Sequence, residues 1–367
     1  MWRNVLLISH GFQPSYEKAF SNALANRGVV VTLAGSVRTE FQDLSPSVRA
    51  YNLLKSMDPS RSIIEKISAK FIYIFRLTRL VTRNRAFVVH LIGNYITSSA
   101  FLGVFELLLY RGLSNRVLVT VHNLLPHDRH SRMNYYSAWL AYRIPHKLIV
   151  HTEKMRTGLI EQWSIDPNKI IIMEHGIDVI PLTRTNRMIG GSPELNLLIF
   201  GGVAKYKGVD TALLALTLLD DFSIVLNIVG ACRDPQYEAE LRDLISHVPT
   251  NHRVKWRNEY IPESEVQDIF ELADAVLLPY RHIDQSGVLF TAYRFGVPVI
   301  AFDVGSFSQY VEPHIGMVVL GNDSYGLAAS IIKFRDCAHK FNRDEIKAYA
   351  GRYSWDNTVA PVLDLYT

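Results

Sequence analysis

"VIPLTRTNRMIGGSPE", residues 179–194, separates two stretches of chain that follow the same pattern. Its two prolines and the Gly190-Gly191 pair interrupt any strand or helix period, so it reads as an interdomain linker. Upstream, short β-branched runs (NVLLIS, VVVTLA, FVVHLI, RVLVTV, KLIV, KIIIME) alternate with helical stretches: EKAFSNALANRG, the segment 62–85 and NYYSAWLAYRI. Downstream the pattern restarts with LNLLIFG, SIVLNIVG, DAVLLP and VPVIAF. Strands alternating with helices imply a parallel sheet covered on both faces. The expected fold is therefore α/β, two doubly wound Rossmann-like domains, 1–178 and 195–367, facing each other across a cleft. The terminal SWDNTVAPVLDLY reads as helical, and its partner domain is left open by the sequence.

The totals agree with two domains. A chain of 367 residues exceeds what one hydrophobic core usually supports. Hydrophobic residues at 48% and charged residues at 20% are those of a globular protein. Cys232 and Cys337 lie far apart without metal-ligand spacing, which excludes a disulfide scaffold and fits a reducing compartment. The N-terminus lacks the apolar core and small-residue site of a signal peptide. The apolar run Val88–Tyr110 is interrupted by His90, Gly93-Asn94 and Glu106, and reads as strand, turn and buried helix rather than a membrane span. Charge is uneven: residues 1–178 carry 22 Lys/Arg against 12 Asp/Glu, while the remainder carries 17 against 23. A basic half points to an anionic partner, nucleic acid or a membrane surface.

In open α/β sheets, ligands sit beyond the carboxyl ends of strands where strand order reverses. Three segments occupy such ends. IFGGVAKYKGVDTALLAL (199–216) closes a strand with Gly201-Gly202, holds Lys205 and Lys207 in a short loop, and opens a helix after Gly208. Glycines admit close backbone approach and lysines supply charge for phosphate; a plain turn with solvated lysines has the same look. PYRHIDQSGVLFTAYRFG (279–296) follows a strand read as ending at residue 281, and Gly287 begins a helix whose free amides suit an anion. Ser286 is alternatively a simple N-cap. Together the two loops point to one diphosphate held between them. No GxGxxG follows the first strand, which weighs against a nicotinamide enzyme. In VLVTVHNLLPHDRH (117–130), His122, Asn123, His127, Asp128 and His130 lie just past a strand. Three histidines raise the question of zinc, but Pro126 and the lack of an HExxH-type pair favour a polar cleft wall, and no metal is expected.

These motifs resemble the GT-B glycosyltransferases of the GT4 type. FGGVAKYKGVD, LNIVG and ADAVLLPYRHIDQSGVLFTAYRFGVPVIAFDVG are similar to their donor domain, and TVHNLLPHD with EHGID fits the other half. The HNLLPH loop, YKGVD and LPY…SG are also similar to bacterial exopolysaccharide mannosyltransferases that act on lipid-linked intermediates. The resemblance implies that Lys207 and Gly201 hold the donor diphosphate, with Gly287 and the following amides as second phosphate contact. It further implies that His122 bonds the donor sugar and that Gly11 crowds the nucleotide. The family's paired glutamates are missing, replaced near Asp284 or Gln285 and at Thr291, and Ala204 and Lys205 stand where an arginine is usual near Gly202. Tyr260 and Tyr280 are the candidates around the base. An inverting reaction needs a base, for which Asp128 and His127 are placed; a retaining one needs none from the protein. No cofactor beyond the nucleotide-diphospho-sugar co-substrate is implied.

Segment 62–86 carries Lys66, Lys70, Arg76, Arg79, Arg83 and Arg85 against Glu65 alone, with Ile64, Ile67, Phe71, Ile74, Phe75 and Thr78 at helical spacing. Such a helix suits an anionic membrane surface, or packs its stripe on the sheet with solvated charges. The absence of RNP-like aromatics or a helix-turn-helix argues against nucleic acid. The expected protein is a cytoplasmic hexosyltransferase, peripheral at the inner face of the membrane, moving a sugar from GDP-mannose or a UDP-sugar to a lipid-linked saccharide in polysaccharide synthesis. A non-catalytic nucleotide-sugar sensor and a GT-B-fold epimerase are the alternatives.

Overall fold

The computed structural model describes residues 4–11, 13–55, 62–83, 88–93, 100–122, 124, 132–177, 188–283 and 286–366. The chain forms two compact units, Met1–Gly176 with Tyr353–Thr367, and Ile177–Arg352. The first runs β1 (Asn4–Ile8), α1 (Pro14–Asn26), β2 (Val30–Ser36), β3 (Val48–Leu54), α2 (Ile63–Arg83), β4 (Val88–Leu91), α3 (Ala100–Leu113), β5 (Arg116–Thr120), α4 (Arg132–Arg143), β6 (Lys147–Val150), α5 (Glu153–Glu161) and β7 (Ile170–Ile172). Its strands make one sheet ordered β3-β2-β1-β4-β5-β6-β7, every pair parallel. Order reverses between β1 and β4.

Because successive strand residues point to opposite faces, β1 feeds two cores. Leu6 and Ile8 join Tyr73 and Leu77 of α2, Tyr110 of α3, Tyr142 of α4 and Leu159 of α5. Val5 and Leu7 join Phe20 and Leu24 of α1. The same second core contains Trp355, Val359, Val362 and Tyr366, so the chain terminus packs on the first sheet. The Tyr366 hydroxyl and buried His90 Nδ1 lie 2.9 Å apart in a hydrogen bond. Both sheet faces are thus covered, as an all-parallel sheet requires.

The second unit runs β8 (Leu195–Phe200), α6 (Val209–Leu216), β9 (Ile224–Val229), α7 (Pro235–Ser246), β10 (Arg253–Arg257), α8 (Glu263–Glu271), β11 (Ala275–Leu278), α9 (Gly287–Arg294), β12 (Val299–Phe302), α10 (Phe307–Tyr310), β13 (Gly316–Val319), α11 (Ser324–Cys337) and α12 (Arg343–Gly351). Its parallel sheet is ordered β10-β9-β8-β11-β12-β13, reversing between β8 and β11.

Three strands escape an apolar-run reading: β3 and β10 are edges with charged or exposed residues, and β13 opens on glycine. The strand read to residue 281 stops at Leu278, because Pro279 has no amide to donate. Within SWDNTVAPVLDLY only Trp355–Thr358 is α-helical (α13), and Ala360–Tyr366 tightens into a 3-10 turn around Pro361. Helix α3, read as buried, is half exposed: Leu107 and Tyr110 face the core while Phe105 and Leu108 face solvent. Among the described residues, no helix is long and apolar enough to cross a membrane.

Candidate active site

The reversal point of the second sheet lies between β8 and β11, and both phosphate-suited loops leave these strands. Gly201 follows β8 with φ +89, and Lys205–Lys207 forms a 3-10 turn. Gly208 (φ +67) then lets that turn lie against the end of β11, since a Cβ there would come 2.0 Å from the Pro279 carbonyl. The Lys207 chain folds back under Gly201. A Cβ on Gly201 would sit 2.8 Å from Lys207 Nζ and 3.7 Å from Val288 Cγ2. The glycine turn, the lysine amine and the first turn of α9 therefore converge on one spot.

Lys207 is 7% exposed. Its Nζ donates to the Phe200 carbonyl at 3.2 Å and lies 5.5 Å from the Tyr280 ring centroid. Burial lowers the amine from the usual lysine range to about 8, so it is charged at neutral pH yet held where charge is disfavoured. Such an amine gains from an arriving anion. Lys205 points elsewhere, 3.4 Å from Glu240. At the start of α9, Ser286 is buried and makes no side-chain cap, so its hydroxyl does not occupy the helix amides. Gly287 is exposed, and a Cβ there would meet nothing within 4 Å. The Thr291 hydroxyl donates to the Gly287 carbonyl at 2.9 Å. Tyr280 is fully buried, its phenol pushed up by that burial with the Ser286 hydroxyl opposing. Gly202 is exposed beside Gly201, and Tyr260 is exposed past the edge strand β10. Asp284 and Gln285 lie outside the described residues.

Sequence reading missed the residues that hold this turn. The Arg281 amide donates to the Tyr206 carbonyl at 2.7 Å. Its guanidinium donates to the Lys205 carbonyl and to the Asp210 carboxylate, which also accepts from the Tyr237 hydroxyl at 2.8 Å. Arg281 thus bridges the strand end carrying Tyr280 to the turn carrying Lys207. The signal was present, as Arg281 is the first exposed residue after the buried stretch 275–280, but its partner is 71 positions away. As a positioning residue, Arg281→Ala should weaken binding of a nucleoside diphosphate about tenfold and lower stability by about 1–2 kcal/mol, the loss of a charged hydrogen-bonded partner. Arg281→Lys should restore stability more than affinity, since one ammonium cannot make the fork; calorimetry with melting curves measures both.

In the first unit, His10 (φ 56) and Gly11 (φ 72) turn sharply after β1. The Gly11 amide donates to Ser9 Oγ at 3.1 Å. Ser9 and Thr39 hydroxyls both donate to buried Glu17, the latter at 2.7 Å. Burial pushes the Glu17 carboxyl up. His10 shares a hydrogen bond with the Tyr73 hydroxyl at 2.9 Å and lies 3.3 Å from Glu106. His122, past β5, donates from Nε2 to the Ile92 carbonyl at 2.8 Å. Two histidines the sequence reading did not single out join it: His151 donates from Nδ1 to Met173 O at 2.8 Å, and His175 from Nδ1 to Gly176 O at 2.7 Å. Their rings surround Tyr16, with centroids 5.0–6.0 Å away. Both follow strand ends, β6 and β7, which is the positional signal that identifies them. Burial lowers His122 and His175 to about 4 and His151 well below the usual range. All three are neutral at pH 7, and the backbone carbonyls fix which ring nitrogen of each carries the proton. Among the described residues, no group of His, Cys, Asp and Glu is placed to hold a metal ion. Asn123, His127, Asp128 and His130 lie outside the described residues.

Helix α2 settles which stripe faces inward. Tyr73, Leu77, Leu80 and Val81 pack on the sheet, while Ile64, Ile67, Phe71 and Phe75 are exposed with Arg79 and Arg83. Arg76 is partly buried. The Lys66 and Lys70 side chains lie outside the described residues.

Comparison with known proteins covers both units. A family described as "Glycosyl transferases group 1" matches residues 194–336, and "Glycosyltransferase Family 4" matches 16–180. A D-inositol 3-phosphate glycosyltransferase of Corynebacterium glutamicum is 25% identical over 236 residues, covering 60% of this chain and 56% of the relative. That of Geodermatophilus obscurus is 25% identical over 243 residues, covering 60% and 52%. The chain thus spans about half the length of the curated relatives it matches. Among solved structures, sucrose-phosphate synthase of Thermosynechococcus elongatus superposes with TM-score 0.74 at 17% identity, covering 99% of this chain and 98% of that one. HepE of Anabaena, in complex with UDP and glucose, gives 0.74 at 17% identity, with 99% of each chain covered.

Proposed function

Because the chain belongs to the group 1 (family 4) glycosyltransferases, matched in both of its domains, we infer that it transfers a hexose from a nucleotide-diphospho-sugar. The donor class is GDP-mannose or a UDP-sugar, and the acceptor a lipid-linked saccharide met at the inner face of a membrane during polysaccharide assembly. The observation that carries the reading is the meeting of Gly201, Lys207 and the α9 N-terminus at the reversal point of the second sheet. In the reaction, the bond from the sugar's anomeric carbon to the diphosphate breaks, one to the acceptor oxygen forms, and the acceptor hydroxyl's proton passes to the departing diphosphate or to a base. Charge builds on the departing diphosphate, where the Lys207 ammonium and the α9 amides stabilise it without reorganising. The neutral imidazole of His122 suits a sugar hydroxyl, and the first domain is assigned to the acceptor. Support for a nucleotide-sugar partner comes from HepE, solved in complex with UDP-glucose.

Nucleoside-diphosphate release from a panel of nucleotide sugars, with and without a membrane lipid extract, tests this. The expected result is release stimulated by the extract and abolished by Gly287→Val, which should leave the melting temperature nearly unchanged because its side chain enters open space. Binding without release would instead make the protein a sensor. Conversion of the donor with no acceptor present would make it an epimerase.

A further inference from the structure

Three consecutive helices of the first domain cover the same sheet face, with α2 packed beside α3 and α3 beside α4. Each shows large apolar side chains on its outer side as well as its inner one. On α2 the outward stripe is Ile64, Ile67, Phe71 and Phe75, with Phe71 71% exposed. On α3 it is Phe105, at 62%, and Leu108. On α4 it is Tyr136, at 65%, with Trp139. A water-facing helix layer ordinarily places polar residues there, and contiguous apolar exposure of this kind marks an interaction surface.

We propose that the outer face of α2, α3 and α4 together is a docking surface for an anionic lipid bilayer, α2 being only its basic edge. Charge selects the occupant. The three helices carry eight Lys/Arg and two Asp/Glu, and of those acids Glu106 is engaged by His10 and Tyr110. A second copy would oppose one cationic face to another, whereas anionic headgroups complement it. Exposed Arg79 and Arg83 continue the α2 stripe towards its C-terminus, and Tyr136 and Trp139 have the amphipathic rings that favour a membrane–water boundary. The proposal rests on the transferase reading only for its reason to visit a membrane, since a lipid-linked acceptor has to be met there.

Co-sedimentation with vesicles of phosphatidylglycerol and phosphatidylcholine, against phosphatidylcholine alone, tests it. Wild type should bind the anionic vesicles preferentially. Phe105→Ser with Leu108→Ser on α3, and separately Trp139→Ser on α4, should each lower the partition coefficient at least fivefold, as should Phe71→Ser with Phe75→Ser on α2. Retained melting temperature and retained nucleoside-diphosphate binding certify that each variant is folded. Full vesicle binding by the α3 and α4 variants would overturn the three-helix surface, and so would absence of wild-type binding. Wild type sedimenting as a dimer that these variants dissociate would overturn the bilayer in favour of a second copy. If wild type binds vesicles but no nucleotide, the surface stands and the transferase reading fails.

Discussion

Lys207→Met should make the unliganded protein more stable while removing its response to nucleotide. The wild-type amine is lowered to about 8 by burial alone. An unfolded lysine takes up its proton near pH 10.4, so between pH 8 and 10.4 the unfolded chain binds more protons than the folded one. Folding stability contributed by this group therefore rises with pH across that window, by about 1.4 kcal/mol per unit. Below pH 8 the folded chain carries the full penalty, on the order of 3 kcal/mol. Methionine removes the charge but also the hydrogen bond to Phe200, so a net gain of about 1–2 kcal/mol at pH 7 is expected, and none above pH 10. Ligand reverses the ranking. A nucleoside diphosphate at a hundredfold its dissociation constant should stabilise wild type by roughly 2.7 kcal/mol. The variant, missing a charge-assisted contact worth about 1.5–3 kcal/mol, should lose about 10–150-fold in affinity. Melting curves at pH 7 and 10, with and without nucleotide, contain all four comparisons. A purely structural lysine would lower stability when replaced and leave the nucleotide response alone.

Acidification should unfold the first domain over a narrow range below pH 6.5. His122 and His175 are lowered to about 4 and His90 to about 3, in each case chiefly by burial. His151 moves the same way. Unfolded histidine titrates near pH 6.5, so the stability these neutral rings contribute is complete above that pH. It is lost as pH falls towards the folded values, by up to about 1.4 kcal/mol per unit for each group. Four such groups give a slope of up to about 5 kcal/mol per unit, against a usual total of about 5–15 kcal/mol. Collapse between pH 6 and 4 follows. Of the five tryptophans only Trp256 lies in the second unit, so fluorescence reports mainly on the first. His175→Gln should flatten the slope by about one group, whereas an unchanged slope would show that His175 binds its proton alike in the folded and unfolded chain.

Much of this was legible in the sequence because apolar runs bounded by glycine and proline mark central strands. The restart after residue 194 marks the second sheet, and Lys207, Gly201 and Gly287 follow the two strands that flank its reversal point. Edge strands were not legible, since exposed β3 and β10 lack the apolar run. Nor was the direction of the α2 stripe: its helical spacing fits either face, and only the packing of Tyr73 and Leu77 on the sheet decides. The Arg281–Asp210–Tyr237 clamp and the ring of histidines about Tyr16 join residues distant in sequence, which strand and helix periods do not connect.

The claim at the centre is that a diphosphate, rather than a sugar or base alone, is what the second domain grips. Calorimetric titration of wild type and Lys207→Met with UDP, GDP, ADP and dTDP, and with the monophosphate of whichever binds, tests it most directly. One nucleoside diphosphate should bind wild type at least tenfold more tightly than its monophosphate, and that difference should shrink in the variant. Equal affinity for mono- and diphosphate, or a difference that survives loss of the lysine, would contradict it.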